Sequence, residues 1–185
     1  MIKTRTYARP VTLLENFCVG MDREVKEFKP MEEGTKLNLG AGYKDIKDTE
    51  PLDLSNGWLA PTLDISDESI CGVYAYHFLE HLNKNDLLDM LHEVERVLIP
   101  GGLFNIVVPY WSSELAYQDL DHKTFWTEKT FPNLFFNKYY DGSMDREWHF
   151  QINSQVIMGI NHRNLCLLVQ LEKMPMPDDP NKAPF

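Results

Sequence analysis

Apolar residues between positions 36 and 109 fall into short runs that alternate with one segment of helical periodicity. The runs predict four strands, at Lys36–Leu39, Glu50–Leu54, Ile70–Tyr76 and Leu103–Pro109. From Asp86 to Leu98, leucine and valine recur every three or four residues, which predicts a helix with Asn83 or Asn85 as its N-cap. Strands that alternate with a helix are typical of a parallel α/β sheet.

The last part of the chain has a different pattern. Two runs with the composition of strands, Glu147–Ile157 and Leu165–Lys173, are separated by a short polar turn. There is no room between them for a crossover helix, so we expect an antiparallel hairpin. The fold prediction is therefore an α/β sheet that is mostly parallel and ends in a C-terminal antiparallel hairpin.

The segment between Asp53 and Ile70 is too short for a full α/β unit. A helix-containing crossover needs about 10–12 residues and a further strand about 5. We therefore expect the third strand and its helix to be shortened or missing. Arg96, close to the end of the predicted helix, is expected to bind carbonyl groups or a carboxylate there.

The ends of the chain add little to this sheet. Residues 11–28 mix apolar and charged positions and predict an interrupted helix, so residues 1–30 are expected to form an N-terminal helical extension. Residues 174–185 are rich in proline and are expected to form a loosely ordered tail. Residues 1–173 are predicted to form a single domain, and nothing in the sequence indicates an oligomeric state.

Composition narrows the class of protein. The 185 residues carry a formal net charge of −10, which disfavours binding to nucleic acid or to anionic membranes. No segment is apolar enough for a membrane span or a secretory signal. The three cysteines, Cys18, Cys71 and Cys166, lack the spacing of a zinc site and are too few and scattered for a disulfide framework. We expect a cytoplasmic protein.

Two glycines follow the first predicted strand, in Gly40-Ala41-Gly42. Glycines at the carboxyl end of a strand let a ligand approach the backbone, although a tight turn alone would also explain them. A dinucleotide fingerprint would need glycine where Asp45 stands, and no Gly-Lys-Ser/Thr sequence follows, so NAD, FAD and a Walker loop are disfavoured. Asp53, at the end of the second strand, is placed to accept hydrogen bonds from the hydroxyls of a ribose.

The order of these motifs resembles a known family. The matching segments are LNLGAG (37–42), PLDL (51–54), DESI (67–70), YAYHFLEHL (74–82), ERVLIPGG (95–102), NIVVP (105–109) and DLDHKTFWTEKTF (119–131). Across residues 36–135 the chain resembles class I S-adenosylmethionine-dependent methyltransferases, in their small "methyltransferase type 11"-like branch. The resemblance implies a Rossmann-like three-layer sandwich and S-adenosylmethionine as the cofactor.

The resemblance also implies a cofactor site. Its predicted members are Asn38, Gly40, Ala41, Gly42, Asp53, Trp58, Leu59, Tyr76 and His77. The glycine loop would face the methionine part, Asp53 the ribose, and Trp58 with Leu59 the adenine. Tyr76 and His77 would close the site. Asn38 departs from the acidic residue usual at this position, so its contact is expected to be weaker.

The predicted reaction is methyl transfer to an oxygen or nitrogen atom of a small molecule. The protein mainly aligns the reactants and excludes water, so no metal is needed. The candidate bases are His77, then His122 or Asp121. The alternative is a non-catalytic Rossmann-like binding or scaffold module that has lost turnover, which Asn38 and the short segment after Asp53 would suit.

A second alternative is a zinc peptidase, because His77-Phe78-Leu79-Glu80-His81 has H-x-x-E-H spacing. His77 and His81 would then bind the metal and Glu80 would act as the base. The motif directly follows an apolar strand rather than lying within a helical scaffold, so the sequence favours the methyltransferase interpretation.

Overall fold

The computed structural model describes residues 34–42, 46–136 and 147–175. The helix predicted at residues 11–28 and most of the predicted tail lie outside the described residues.

The described residues contain a six-stranded sheet. Its strands are β1 (Lys36–Leu39), β2 (Glu50–Leu52), β3 (Ile70–Tyr76), β4 (Leu98–Pro109), β5 (Phe150–Met158) and β6 (Cys166–Lys173). Their order across the sheet is β2-β1-β3-β4-β6-β5. Strands β1 to β4 run parallel, and β6 is antiparallel to both β4 and β5. The predicted mostly parallel, Rossmann-like sheet with a C-terminal antiparallel hairpin is confirmed.

Two helices accompany the sheet within the described residues. Helix α1 (Lys84–Val97) is capped by Asn83, one of the two predicted N-caps, whose side chain accepts hydrogen bonds from the backbone N–H groups of Asn85 and Asp86. Helix α2 (Thr130–Phe136) was not predicted. Neither has the combination of length and apolar character that crossing a membrane requires.

The two faces of the sheet bury different side chains, as the alternation along a strand requires. On one face, Val73 and Ala75 of β3 pack in the main core with the buried side of α1. On the other face, Tyr74 and Tyr76 belong to a smaller cluster with Ile46. The carboxyl ends of β1 to β4 meet at one edge, where ligands bind in sheets of this kind.

Residues 54–69 contain no strand, and all of them are described. They form a 3-10 turn at Leu54–Asn56 and an irregular connection to β3. The guanidinium of Arg96 donates hydrogen bonds to the carbonyls of Leu63 and Ile65 and to the carboxylates of Glu93 and Asp67. The predicted loss of the third strand and the predicted role of Arg96 are both confirmed.

Candidate active site

The glycine loop turns sharply at the carboxyl end of β1. Gly40 and Gly42 both adopt left-handed backbone conformations, with φ of 61° and 51°. The N–H of Gly40 donates to the carbonyl of Leu52 at 2.8 Å, and Ala41 donates to the same oxygen at 3.3 Å. The loop is therefore fixed to the end of the neighbouring strand β2.

The two glycines face different surroundings. A β-carbon on Gly40 would lie 2.7 Å from Cβ and Cγ of Phe78, so Gly40 is required by the packing of the protein's own side chain. A β-carbon on Gly42 would meet nothing within 4 Å among the described residues, and Gly42 is exposed. Its backbone is therefore not held by packing against that part of the chain and is accessible to a ligand. Asn38 and Ala41 are buried beneath the loop.

Asp53 connects the loop to the segment after β2. One carboxylate oxygen, Oδ2, accepts a hydrogen bond from the N–H of Gly42 at 3.1 Å, and Oδ1 accepts one from Ser55 at 2.9 Å. The side chain caps the 3-10 turn and stays partly exposed. The structure thus brings together the glycine loop and the carboxylate that sequence analysis assigned to a ribose.

Apolar side chains follow Asp53 along the chain. Leu54 and Leu59 are 74% and 69% exposed. The Trp58 indole donates to the carbonyl of Thr62, and its ring lies 5.6 Å from that of Phe78. The backbone N–H of Trp58 donates to the carbonyl of Asp53 at 3.1 Å, so Trp58 and Leu59 lie close to Asp53, and their contact with adenine stays a prediction.

His77 and Tyr76, at the end of β3, have different environments. His77 has a left-handed backbone, with φ of 53°, and its side chain is 37% exposed. Its Nδ1 lies 3.2 Å from Oε1 of Glu80, and its Nε2 lies 3.8 Å from Sγ of Cys166. Tyr76 is buried in the smaller cluster, and burial raises the pKa of its hydroxyl.

Burial and the nearby Glu80 carboxylate also affect Cys166. They raise the pKa of its thiol to about 12. The thiol is therefore protonated at neutral pH and cannot serve as a nucleophile.

Glu80, which the sequence indicated only as the base of the peptidase alternative, organises this end of the sheet. Its side chain is 1% exposed, and its backbone carbonyl accepts hydrogen bonds from the N–H groups of Lys123 and Thr124. The loop after β4 is thereby attached to the end of β3. The signal in the sequence that could have indicated this role is the charged residue Glu80 within the largely apolar segment 78–82.

The loop after β4 contains the two other candidate bases. His122 is only 8% exposed, with Nδ1 3.2 Å from the carbonyl oxygen of Ala116 and Nε2 3.9 Å from Oε1 of Glu80. Asp121 is exposed, and its N–H donates to the Asp119 side chain. The structure therefore brings His122, but not the Asp121 carboxylate, into contact with the group around Glu80.

The arrangement suits an adenosyl cofactor. Gly42 has free space in front of it, the Asp53 carboxylate lies beside that space, and exposed leucines follow. Such a set matches a ligand with ribose hydroxyls and an apolar base. The roles of the individual residues stay predictions.

Comparisons with known proteins show which domain and fold the chain resembles. Residues 47–106 match the model of a family described as a methyltransferase domain. A search of curated protein sequences gives no match.

Solved structures share the fold. A S-adenosylmethionine-dependent methyltransferase from Methanosarcina mazei is 12% identical over 90% of this chain and 99% of its own, with a TM-score of 0.57. The Burkholderia thailandensis 1,6-didemethyltoxoflavin-N1-methyltransferase, solved with its substrate and S-adenosylhomocysteine, is 16% identical over 76% and 71%, with a TM-score of 0.53. A Haloferax volcanii methyltransferase in complex with the Trm112 activator is 17% identical over 79% and 85%, also with a TM-score of 0.53.

Residues 47–106 are thus similar to a methyltransferase domain, and the chain shares its fold with solved S-adenosylmethionine-dependent methyltransferases.

Proposed function

We propose that this enzyme transfers the methyl group of S-adenosylmethionine to an oxygen or nitrogen atom of a small molecule. The observation that carries the proposal is the contact between Asp53 and Gly42 beside open space. It provides a carboxylate for the ribose and an accessible backbone for the rest of the cofactor.

When bound, the cofactor supplies an electrophilic methyl group on a sulfonium that already carries the leaving charge. The chain's own contribution is to hold the two reactants in line and to exclude water. Asp53 and Gly42 would fix the adenosyl end, while the exposed Leu54 and Leu59 would cover the adenine.

Exposed aromatic side chains over the same sheet edge suit a planar acceptor. Tyr117 and Phe125 stack with ring centroids 5.0 Å apart although both are exposed, and Trp111 is exposed nearby along the chain. Aromatic walls bind flat, largely apolar molecules. The Burkholderia relative, which was solved with a small heterocyclic substrate, supports an acceptor of this size.

His77 is the base that this proposal favours. A hydrogen bond from its Nδ1–H to Glu80 would leave the lone pair on Nε2, and the ring is partly exposed. His122 is nearly buried, which makes it less accessible to an acceptor. Asp121 is accessible, but among the described residues no imidazole or other hydrogen-bond partner orients its carboxylate.

The thiols support a cellular location. Cys71 and Cys166 are buried, and neither forms a disulfide within the described residues. Free cysteines suit a reducing compartment, so we place the enzyme in the cytoplasm.

The test has two stages. Calorimetry with S-adenosylmethionine and S-adenosylhomocysteine should show binding of both, and binding of neither at millimolar concentration would contradict the proposal. Mass spectrometry should then detect methylation within a panel of phenols and nitrogen heterocycles. His77→Gln should reduce that rate while leaving calorimetric cofactor binding close to wild type. Cofactor binding without methylation of any acceptor would favour the non-catalytic module, which the neutral Asn38 also suits.

A further inference from the structure

The Glu80 carboxylate is buried without a full set of partners. Its oxygen Oε2 is inaccessible to solvent and accepts no hydrogen bond from any residue that the structure describes. Within the part of the chain that the structure describes, no lysine or arginine forms an ion pair with it. A buried carboxylate in this state is costly unless a cation or donor compensates it.

Two imidazoles face this carboxylate. His81, His122 and Glu80 each present one nitrogen or oxygen ligand atom, and these atoms all lie within 4.8 Å of one another. The rings of His81 and His122 are in edge contact, with centroids 4.8 Å apart. Glu80 and His81 belong to the 3-10 turn Leu79–His81 after β3, and His122 belongs to the loop after β4, so the three ligand atoms meet where these two segments contact.

The hydrogen bond of His122 fixes which nitrogen is available. Because Nδ1 lies 3.2 Å from the Ala116 carbonyl oxygen, it must carry the hydrogen, which leaves the lone pair of Nε2 directed to the Glu80 side. A backbone carbonyl that orients an imidazole in this way is the usual outer partner of a metal-binding histidine.

We propose that Glu80, His81 and His122 bind a divalent cation of the zinc class. Two imidazole nitrogens and one carboxylate oxygen are ligands that zinc prefers, whereas magnesium and calcium prefer oxygen alone. Around zinc, ligand atoms lie roughly 3.3 Å apart, so the side chains need to move inward by about 1 Å. Three protein ligands leave a fourth position open.

A protonated histidine explains the cluster less well. A charge-assisted hydrogen bond to a carboxylate is about 2.7–2.9 Å long, whereas Nε2 of His122 is 3.9 Å from Oε1 of Glu80. The nearer imidazole, His77, approaches Oε1 and leaves Oε2 without a partner. A cation between the three groups satisfies that oxygen and both lone pairs.

The proposed site differs from the zinc-peptidase pattern considered for the sequence. Glu80 serves as a ligand rather than as a base, and His122 from a distant loop replaces His77. The N–H groups of Lys123 and Thr124 already bind the Glu80 carbonyl, so the cation would fasten the same loop a second time. This site does not depend on the methyltransferase reaction.

The test is metal binding by the purified full chain after treatment with EDTA. Calorimetry with zinc chloride should give one equivalent bound, and His81→Ala and His122→Ala should each weaken binding at least a hundredfold. His92→Ala and His162→Ala should leave it unchanged. His92 is the stringent control, because it lies beside Glu95 in a separate histidine and carboxylate group. Cobalt substitution should give a spectrum of nitrogen and oxygen ligands.

Thermal unfolding separates ligand loss from misfolding. In EDTA, the His122→Ala variant should melt close to the wild type, and zinc should raise the melting temperature of the wild type alone. If a variant does not fold, His81→Gln provides the same comparison. The proposal is overturned by absence of stoichiometric binding in the wild type, by unchanged binding in both ligand variants, or by a thiolate-to-cobalt band. Binding of S-adenosylhomocysteine should persist in these variants, so the two proposals fail separately.

Discussion

The side chain of Phe78 lies against the α-carbon of Gly40, so closely that a β-carbon there would be 2.7 Å from two of its atoms. The first glycine of the loop is therefore explained by packing between the ends of β1 and β3. For Gly42, which has a similar backbone but no such packing against the described residues, ligand access is the proposed role. The two glycines of one motif thus have separate roles.

Alanine substitutions should separate these roles. Gly42→Ala should cost about 1 kcal/mol of unfolding free energy, because only the left-handed backbone opposes the new methyl group. Gly40→Ala should cost about 2 kcal/mol more, because the methyl group also clashes with Phe78. Urea denaturation measures both, and the Gly40→Ala/Phe78→Ala pair should recover part of the difference. Equal costs at the two glycines would contradict the packing role.

Replacing Asp53 tests the cofactor site. Asp53→Asn keeps an oxygen for the N–H of Ser55 but removes the charge, so the dissociation constant for S-adenosylhomocysteine should rise about ten- to a hundredfold. Asp64→Asn, at an exposed position, is the matched control and should bind as the wild type does. Calorimetry gives the constants, and circular dichroism checks the fold. If Asp53→Asn left the dissociation constant for S-adenosylhomocysteine unchanged, the Asp53 carboxylate would not be part of the cofactor site.

The Arg96 network should make stability sensitive to acid. Hydrogen bonds from Arg96 lower the pKa of Glu93 below its usual value despite partial burial. A depressed folded-state pKa stabilises the fold at neutral pH, and this contribution is lost as the pH falls through that value. Glu93→Gln should therefore lower stability at pH 7 and reduce the additional loss on acidification.

The measurement is the urea midpoint as a function of pH. Arg96→Ala should destabilise the protein at pH 7 by about 2 kcal/mol, since it also leaves the carbonyls of Leu63 and Ile65 without their donor. Glu50→Gln, at an exposed edge position, is the control and should follow the wild-type curve. A Glu93→Gln curve parallel to the wild type would contradict the assigned role.

Strand interiors were predictable from the sequence, whereas some strand ends were not. Strand β2 ends at Leu52, earlier than predicted, because Asp53 caps the following turn. Strand β4 begins at Leu98, earlier than predicted, because Leu98 pairs with Ile70 across a bulge. Helix α2 is short and includes Pro132, so it lacked the periodicity that identifies a helix.

The contact between Gly42 and Asp53 could be predicted from the sequence, whereas the contact between Glu80 and His122 could not. Gly42 and Asp53 follow adjacent parallel strands, so strand order alone predicts that they meet. The contact between Glu80 and His122 depends on the loop after β4 folding back to the end of β3. That return is set by backbone hydrogen bonds in an irregular segment, which periodicity does not encode.

The left-handed backbone of His77 has an evolutionary consequence. In this conformation histidine makes the folded protein about 1 kcal/mol less stable than glycine would. Glycine offsets part of this difference, because it increases the conformational entropy of the unfolded chain. Selection in the laboratory for heat tolerance alone would thus exert little pressure to retain the histidine. Populations evolved that way should drift toward glycine or asparagine at position 77, whereas populations required to methylate should not.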